Sequence, residues 1–168
     1  MNQTELTDFM NSLEQFGIPG CDCVVYRNHK PVFRHMAGYA NKEKTKPITS
    51  DTTYWMYSAT KPVTCTAVMQ LVEKDGIGLD EPVYTYLPEY KDMKVKSDWG
   101  VKPARNPMTI RHLLSMQSGL SYNIGAPSIR QALRDTNGQA STRELVAALA
   151  REPLDFEPGT HFQYSFRH

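Results

Sequence analysis

A serine and a lysine stand three residues apart, Ser58 and Lys61, in the run YWMYSATKPVTCTAVMQLVEKDG. A serine hydroxyl is a weak nucleophile at its free pKa and needs a neighbouring base to take its proton. Residues three apart on a helix share a face, with Cβ atoms roughly 5–6 Å from each other, so Lys61 can reach the Ser58 oxygen. A lysine held in a dry cleft near other cations loses affinity for its proton and can serve as that base. The helix N-terminus adds partial positive charge and unpaired backbone N–H groups, one of which can help hold the oxyanion of acyl transfer. The same residues also fit a structural role, with Ser58 as a helix cap and Lys61 as a solvated first-turn residue.

A helix from about Ser58 to Lys74 has to position the pair. Val63, Ala67, Val68, Met69, Leu71 and Val72 supply its apolar side and Gly76 suits its exit. Upstream, CDCVVYRN and PVFRHMAG read as strands of a hairpin with a short polar turn at His29 and Lys30. Cys21 and Cys23 share one face of the first strand because side chains alternate. The N-terminal MNQTELTDFMNSLEQFGIPG reads as a polar amphipathic helix with Phe9, Leu13 and Phe16 on one side. Downstream, GIGLDEPVYTYLPEYKDM and VKSDWGVKPARNP read as loop, without periodicity. MTIRHLLSMQSGL is a short helix with Thr109 as N-cap and Gly119 as terminator. APSIRQALRDT is another helix. In STRELVAALAREP, Ser141 and Glu144 form a capping box and Pro153 closes the element. LDFEPGTHFQYSFRH opens on a Pro-Gly turn. The pattern predicts a single domain over 1–168 of α/β or α+β type, with a hairpin in front and mainly helices after it.

Bulk properties narrow the function. The chain has 168 residues, 40% hydrophobic and 22% charged, enough for a packed core. A net charge of +1, with no long basic block, gives no reason to expect nucleic acid or an anionic membrane as partner. No apolar run approaches the roughly 20 residues that span a bilayer. The N-terminus lacks the basic and apolar regions of a secretory signal, so a cytoplasmic location is expected. The three cysteines, Cys21, Cys23 and Cys65, are an odd number, which argues against a disulfide framework. They have no partners at metal-ligand spacing, and neither metal nor cofactor is expected.

SATK at the onset of an apolar helix resembles the first motif of the serine β-lactamases and penicillin-binding proteins. GYANKEKTKPITSDTTYWMYSATKPVT is similar to the family stretch leading into the nucleophile helix, and DGIGLDEPVYTYLPEY to the segment after it. MTIRHLLSMQSGL resembles an element of the class C β-lactamase-like branch, and FEPGTHFQYS the approach to the second motif. The likeness runs in order along nearly the whole chain. It implies a β-lactamase/transpeptidase-like fold in which Ser58 is acylated, Lys61 is its base or proton relay, and Tyr164 matches the tyrosine of the Y-x-N motif. Tyr26 and Asn28 also spell Y-x-N, but lie upstream in a strand and are read as structural.

The resemblance breaks at two places. Phe166 stands where the family has asparagine, and phenylalanine cannot hydrogen-bond a lysine or a substrate amide. That weakens a β-lactamase reading and favours an esterase or peptidase-like variant. The third motif, K-[ST]-G or H-x-G, occurs nowhere in the 168 residues. The C-terminal sheet strands implied by the family are then missing, the domain looks truncated, and its sheet edges invite self-association. The expectation is a serine hydrolase forming an acyl-serine on a small-molecule or peptide ester, amide or β-lactam. The alternative is a catalytically silent fragment acting as a folding or binding module. His112 reads as structural, and His161 and His168 as weaker cleft candidates. Trp55 and Tyr57 are expected to pack the core or cleft wall, and Arg111 to tie its helix to the sheet.

Overall fold

Residues 3–165 are described in the computed structural model. The expectations placed on Phe166 and His168 fall outside them. The chain divides into two units, Met1–Tyr57 and Ser58–His168.

In the first unit, helix α1 (Gln3–Ser12) passes into a 3-10 turn, Leu13–Phe16. Met10 is its buried residue, whereas Phe9 and Phe16 are 58% and 73% exposed. The Phe9–Leu13–Phe16 side expected to be apolar is therefore not the buried one: within α1 the buried residue is Met10, and the tighter 3-10 winding after Ser12 turns Phe16 outward. Strands β1 (Gly20–Arg27) and β2 (Lys30–Gly38) pair antiparallel in a two-stranded sheet. Their turn is Asn28–His29, one residue earlier than expected. Both residues have positive φ, 51° and 61°, as a two-residue hairpin turn of right-handed twist requires. Asn28, the last letter of the upstream Y-x-N, is thus a turn residue. Cys21 faces Ala37 and Cys23 faces His35 across the ladder. Helix α1 is tied to the hairpin by Asn11 Oδ1 and His35 Nε2, 2.8 Å apart, and by Gln3 Nε2 donating to Val32 O at 3.3 Å. Trp55 and Tyr57 are 87% and 82% exposed and their rings lie 6.4 Å apart, so of the two places expected for them, core or cleft wall, the core is excluded.

The second unit opens with helix α2 (Thr60–Glu73), entered through a 3-10 turn, Tyr57–Ala59. Ser58 accordingly lies in that turn and not within the regular helix. Lys61, Cys65, Val68 and Val72 form its half-buried stripe, following the turn of an α-helix. Val63, on the opposite side, is 61% exposed, and Leu71, on the flank, 51%. The helix is thus apolar on two sides, not on the one side expected.

The stretch expected to be loop is ordered. Two 3-10 turns, Val83–Thr85 and Pro88–Tyr90, lead into a hairpin of β3 (Lys94–Ser97) and β4 (Gly100–Pro103). The alternation was too short to read: Val95 turns inward and is buried, while Val101 on the partner strand turns outward and is exposed. Helix α3 (Ile110–Leu114) starts at Thr109, whose hydroxyl accepts from His112 N. It ends at Ser115, well before Gly119, because Met116 takes φ 59°. Gly119 serves a different purpose, since a Cβ there would lie 2.3 Å from Phe156 O. Helices α4 (Pro127–Asp135) and α5 (Thr142–Leu149) follow, the latter with the expected Ser141–Glu144 capping box. Arg111 grips Asp80 through two bonds of 2.7 and 2.8 Å, and so fastens α3 to the 79–81 loop rather than to a sheet. Val83, Tyr90, Met93, Val95, Met108, Leu120 and Leu154 make the core of this unit.

His112 gives the fold a pH dependence. Its Nδ1 accepts from Thr109 N at 3.2 Å, which requires that nitrogen to be unprotonated. Burial lowers its pKa from the usual 6.5, the Asp80 charge opposes this, and the Arg111 charge adds to it. The unfolded chain binds the proton more readily, so this share of stability is present above the ordinary histidine pKa and is lost as pH falls through the lowered one. Glutamine at this position can still cap the Thr109 N–H but does not titrate. We expect His112→Gln to lose less stability than wild type between pH 7 and pH 5 in urea unfolding. Equal losses would mean that His112 does not carry this dependence.

Candidate active site

Tyr57 has φ 43°, a costly backbone for a bulky residue, of the order of 1–3 kcal/mol. The chain turns sharply there, immediately before Ser58. Ala59, not Ser58, is the N-cap of α2, and no side chain caps the helix. The cap role considered for Ser58 is therefore not the one its hydroxyl plays. Ser58 Oγ instead accepts a hydrogen bond from the Tyr164 hydroxyl, 106 positions along the chain. Lys61, one turn on, places its Nζ 5.0 Å from the centroid of the Tyr164 ring. The structure thus brings together the three side chains singled out from the sequence, all within the second unit.

The position of Tyr164 is set by a strap over 154–165 laced along other segments. Leu154 N donates to Lys94 O at 2.7 Å, and Lys96 N to Leu154 O at 2.9 Å. Asp155 N then donates to Gly119 O, Gly159 N to Gln117 O and Gln163 N to Met116 O, at 2.8, 2.9 and 2.9 Å. The positive φ of Met116 and Gly119 bends residues 116–121 into an arch whose carbonyls meet these donors. At the Pro158-Gly159 turn, φ of Gly159 is 84° and a Cβ would lie 2.8 Å from His112 Nε2, so the strap also rests on α3.

Electrostatics favour a reactive phenol. The Tyr164 pKa is lowered from 10.0, chiefly by the hydrogen bond with the Ser58 hydroxyl and then by the bond and charge of Lys61, against the opposing effect of burial. A phenolate at Tyr164 can accept the Ser58 proton, the ammonium of Lys61 can balance its charge, and the freed Oγ can attack a carbonyl carbon.

The other candidates stand elsewhere. His112 serves the α3 cap, and His161 packs on Phe156 with ring centroids 5.4 Å apart and its Nδ1 2.8 Å from Thr160 Oγ1. Tyr26 is an exposed residue of β1. A groove of about 290 Å³ in the first unit, between α1 and the hairpin, contains none of the site residues. Tyr122 was missed from the sequence: its ring lies 6.4 Å from that of Tyr164. Nothing in the spacing of the loop after Gly119 announces such a contact.

Ser58→Ala removes the largest influence on the Tyr164 phenol. Its titration, followed by NMR of ring-labelled tyrosine, is expected to move upward toward that of free tyrosine, with Lys61 leaving a residual depression. An unchanged midpoint would show that the hydroxyl pair does not govern the phenol.

Comparison with known proteins gives the chain a family and several relatives. The Beta-lactamase family model matches residues 6–166. The chain is 33% identical over 163 residues to esterase EstB of Burkholderia gladioli, covering 94% of this chain and 40% of that protein. It is 34% identical over 140 residues to the acyltransferase calJ of Penicillium decumbens, covering 79% and 34%. Among solved structures it superposes on EstCE1, a hydrolase with promiscuous acyltransferase activity, with TM-score 0.75, 26% identity, and coverage of 97% of this chain and 43% of that one. The chain thus spans less than half the length of these relatives.

Proposed function

The chain belongs to the β-lactamase family, and on that premise we propose that it carries the nucleophile Ser58, the proton-accepting tyrosine Tyr164 and the charge-balancing lysine Lys61 of a serine hydrolase that works through an acyl-serine. The observation that carries this reading is the hydrogen bond between the Tyr164 hydroxyl and Ser58 Oγ, with Lys61 beside the same ring. Tyr164, as phenolate balanced by Lys61, takes the proton of Ser58. The Oγ–C bond forms, the carbonyl π pair moves onto oxygen, and collapse of the intermediate expels the leaving group, which takes the proton back from Tyr164. Water then repeats the sequence on the acyl-serine. The match to an esterase and an acyltransferase supports an ester over a β-lactam as the bond attacked, as does phenylalanine at position 166 in place of the asparagine that would recognise an amide. The substrate is then a small-molecule ester, and residues 1–168 are read as one part of a single domain.

A labelled fluorophosphonate is expected to modify Ser58 and no other residue. Peptide mass spectrometry identifies the site, and Ser58→Ala abolishes labelling. Modification at another serine, or undiminished labelling of the variant, would remove the reading.

A second reading, a silent folding or binding module, is favoured by two observations. The β1–β2 hairpin is a two-stranded sheet, and α2 leaves Val63 and Leu71 exposed. Unpaired edges and uncovered apolar faces invite association with another chain. The sequence also holds no third-motif tripeptide. Loss of one of two oxyanion donors costs on the order of 10²–10³ in rate. The 168-residue chain by itself is therefore expected to turn over 4-nitrophenyl esters and nitrocefin at no more than a trace rate, and to self-associate in sedimentation velocity. A monodisperse monomer with Ser58-dependent, enzyme-like turnover would exclude this second reading.

A further inference from the structure

Groups outside the Ser58–Lys61–Tyr164 set contact the backbone and ring around Tyr164. Residues 161–165 run without regular structure, with Gln163 and Ser165 turned inward and Phe162 and Tyr164 turned outward. Ser165 is 0% exposed, and its hydroxyl donates to Ser121 O at 3.3 Å. On the other side of Tyr164, Gln163 N donates to Met116 O at 2.9 Å. Tyr164 is thereby tied to the 116–121 arch one residue before and one residue after itself. Tyr122 follows Ser121 directly, and its ring lies 6.4 Å from that of Tyr164 at an interplanar angle of 33°.

We propose that Ser165, through Ser121, and Tyr122 are positioning residues that hold the Tyr164 phenol against Ser58 Oγ. This rests on the reading of Tyr164 as the proton-transfer group. A tyrosine side chain has two free torsions, and a hydroxyl pair at hydrogen-bond distance tolerates little displacement before the bond is lost. The Ser165–Ser121 bond limits the drift of the Cα that carries the ring, and the Tyr122 ring blocks one direction of its swing. Ser165 is suited to this because a buried hydroxyl seeks an acceptor, and Ser121 O is the acceptor at hand. Alanine would keep the volume nearly unchanged and release the tether.

The test uses the 168-residue chain labelled with [13Cζ]tyrosine, with the Tyr164 signal assigned by Tyr164→Phe. In wild type the phenol is expected to titrate below free tyrosine. Ser165→Ala and Tyr122→Leu should each move its midpoint upward while the signal of Tyr90, in the core, keeps its position. Ser165→Cys, which retains a weak donor of similar size, should move it less than Ser165→Ala does. Unchanged midpoints in both Ser165→Ala and Tyr122→Leu would overturn the proposal. So would loss of the Tyr90 signal in both variants, since the residues would then hold the core rather than the phenol. The titration does not depend on turnover: a Ser58 that resists fluorophosphonate defeats the hydrolase reading, yet a shifted midpoint still supports the positioning role.

Discussion

The lacing of residues 154–165 onto the rest of the second unit is the constraint on which the other features depend. Leu154, fully buried, bridges in parallel to Val95 and exchanges backbone bonds with the β3 strand. The same strap then crosses the 116–121 arch and ends at Tyr164. One segment therefore closes the core and delivers the phenol, so packing and chemistry are not separable here. Buried backbone donors and acceptors must be paired, and the strap has no helix of its own to pair them. It takes carbonyls that the arch exposes, and the arch exposes them because Met116 and Gly119 adopt left-handed conformations.

The electrostatics of the site follow from that delivery. Tyr164 is 43% exposed, and burial opposes the lowering of its pKa. Its lowered pKa comes first from the Ser58 hydroxyl and then from Lys61, two groups within a turn of each other at the entry to α2. Ser58 and Lys61 stand on a single local element, and Tyr164 arrives from a distant one. The Tyr57 backbone just upstream is left-handed, and α2 starts without any side-chain cap.

Helix α2 shows how two-sided apolarity misleads a sequence reading. The sequence suggests one apolar face, but the half-buried stripe passes through Lys61, Cys65, Val68 and Val72, with Val63 opposite it and Leu71 on the flank. A helix apolar on both sides is suited to lie between two layers. The chain spans less than half the length of the relatives it matches, and among the described residues Val63 and Leu71 of α2 are exposed.

Local chemistry was legible in the sequence wherever a short-range rule governs it. The Ser141–Glu144 box and the Thr109 cap depend on groups three residues apart, and the β1–β2 hairpin on alternating apolar residues around a polar turn. The spacing of Ser58 and Lys61 leaves a structural role open, and a motif resemblance singles out these two and Tyr164. The β3–β4 hairpin was not legible, because four-residue strands with a single inward valine carry too little periodicity. Tertiary structure decided the rest. It ended α3 at Ser115 instead of Gly119, and it used Gly119 for the close approach of Phe156. It set Arg111 on Asp80, and it joined Tyr164 to Ser58. It placed Tyr122 and Ser165 around that tyrosine. Those contacts span tens of residues, and their partners are chosen by which backbone groups the folded arch and strap leave facing each other, a choice that residue types and spacing alone do not encode.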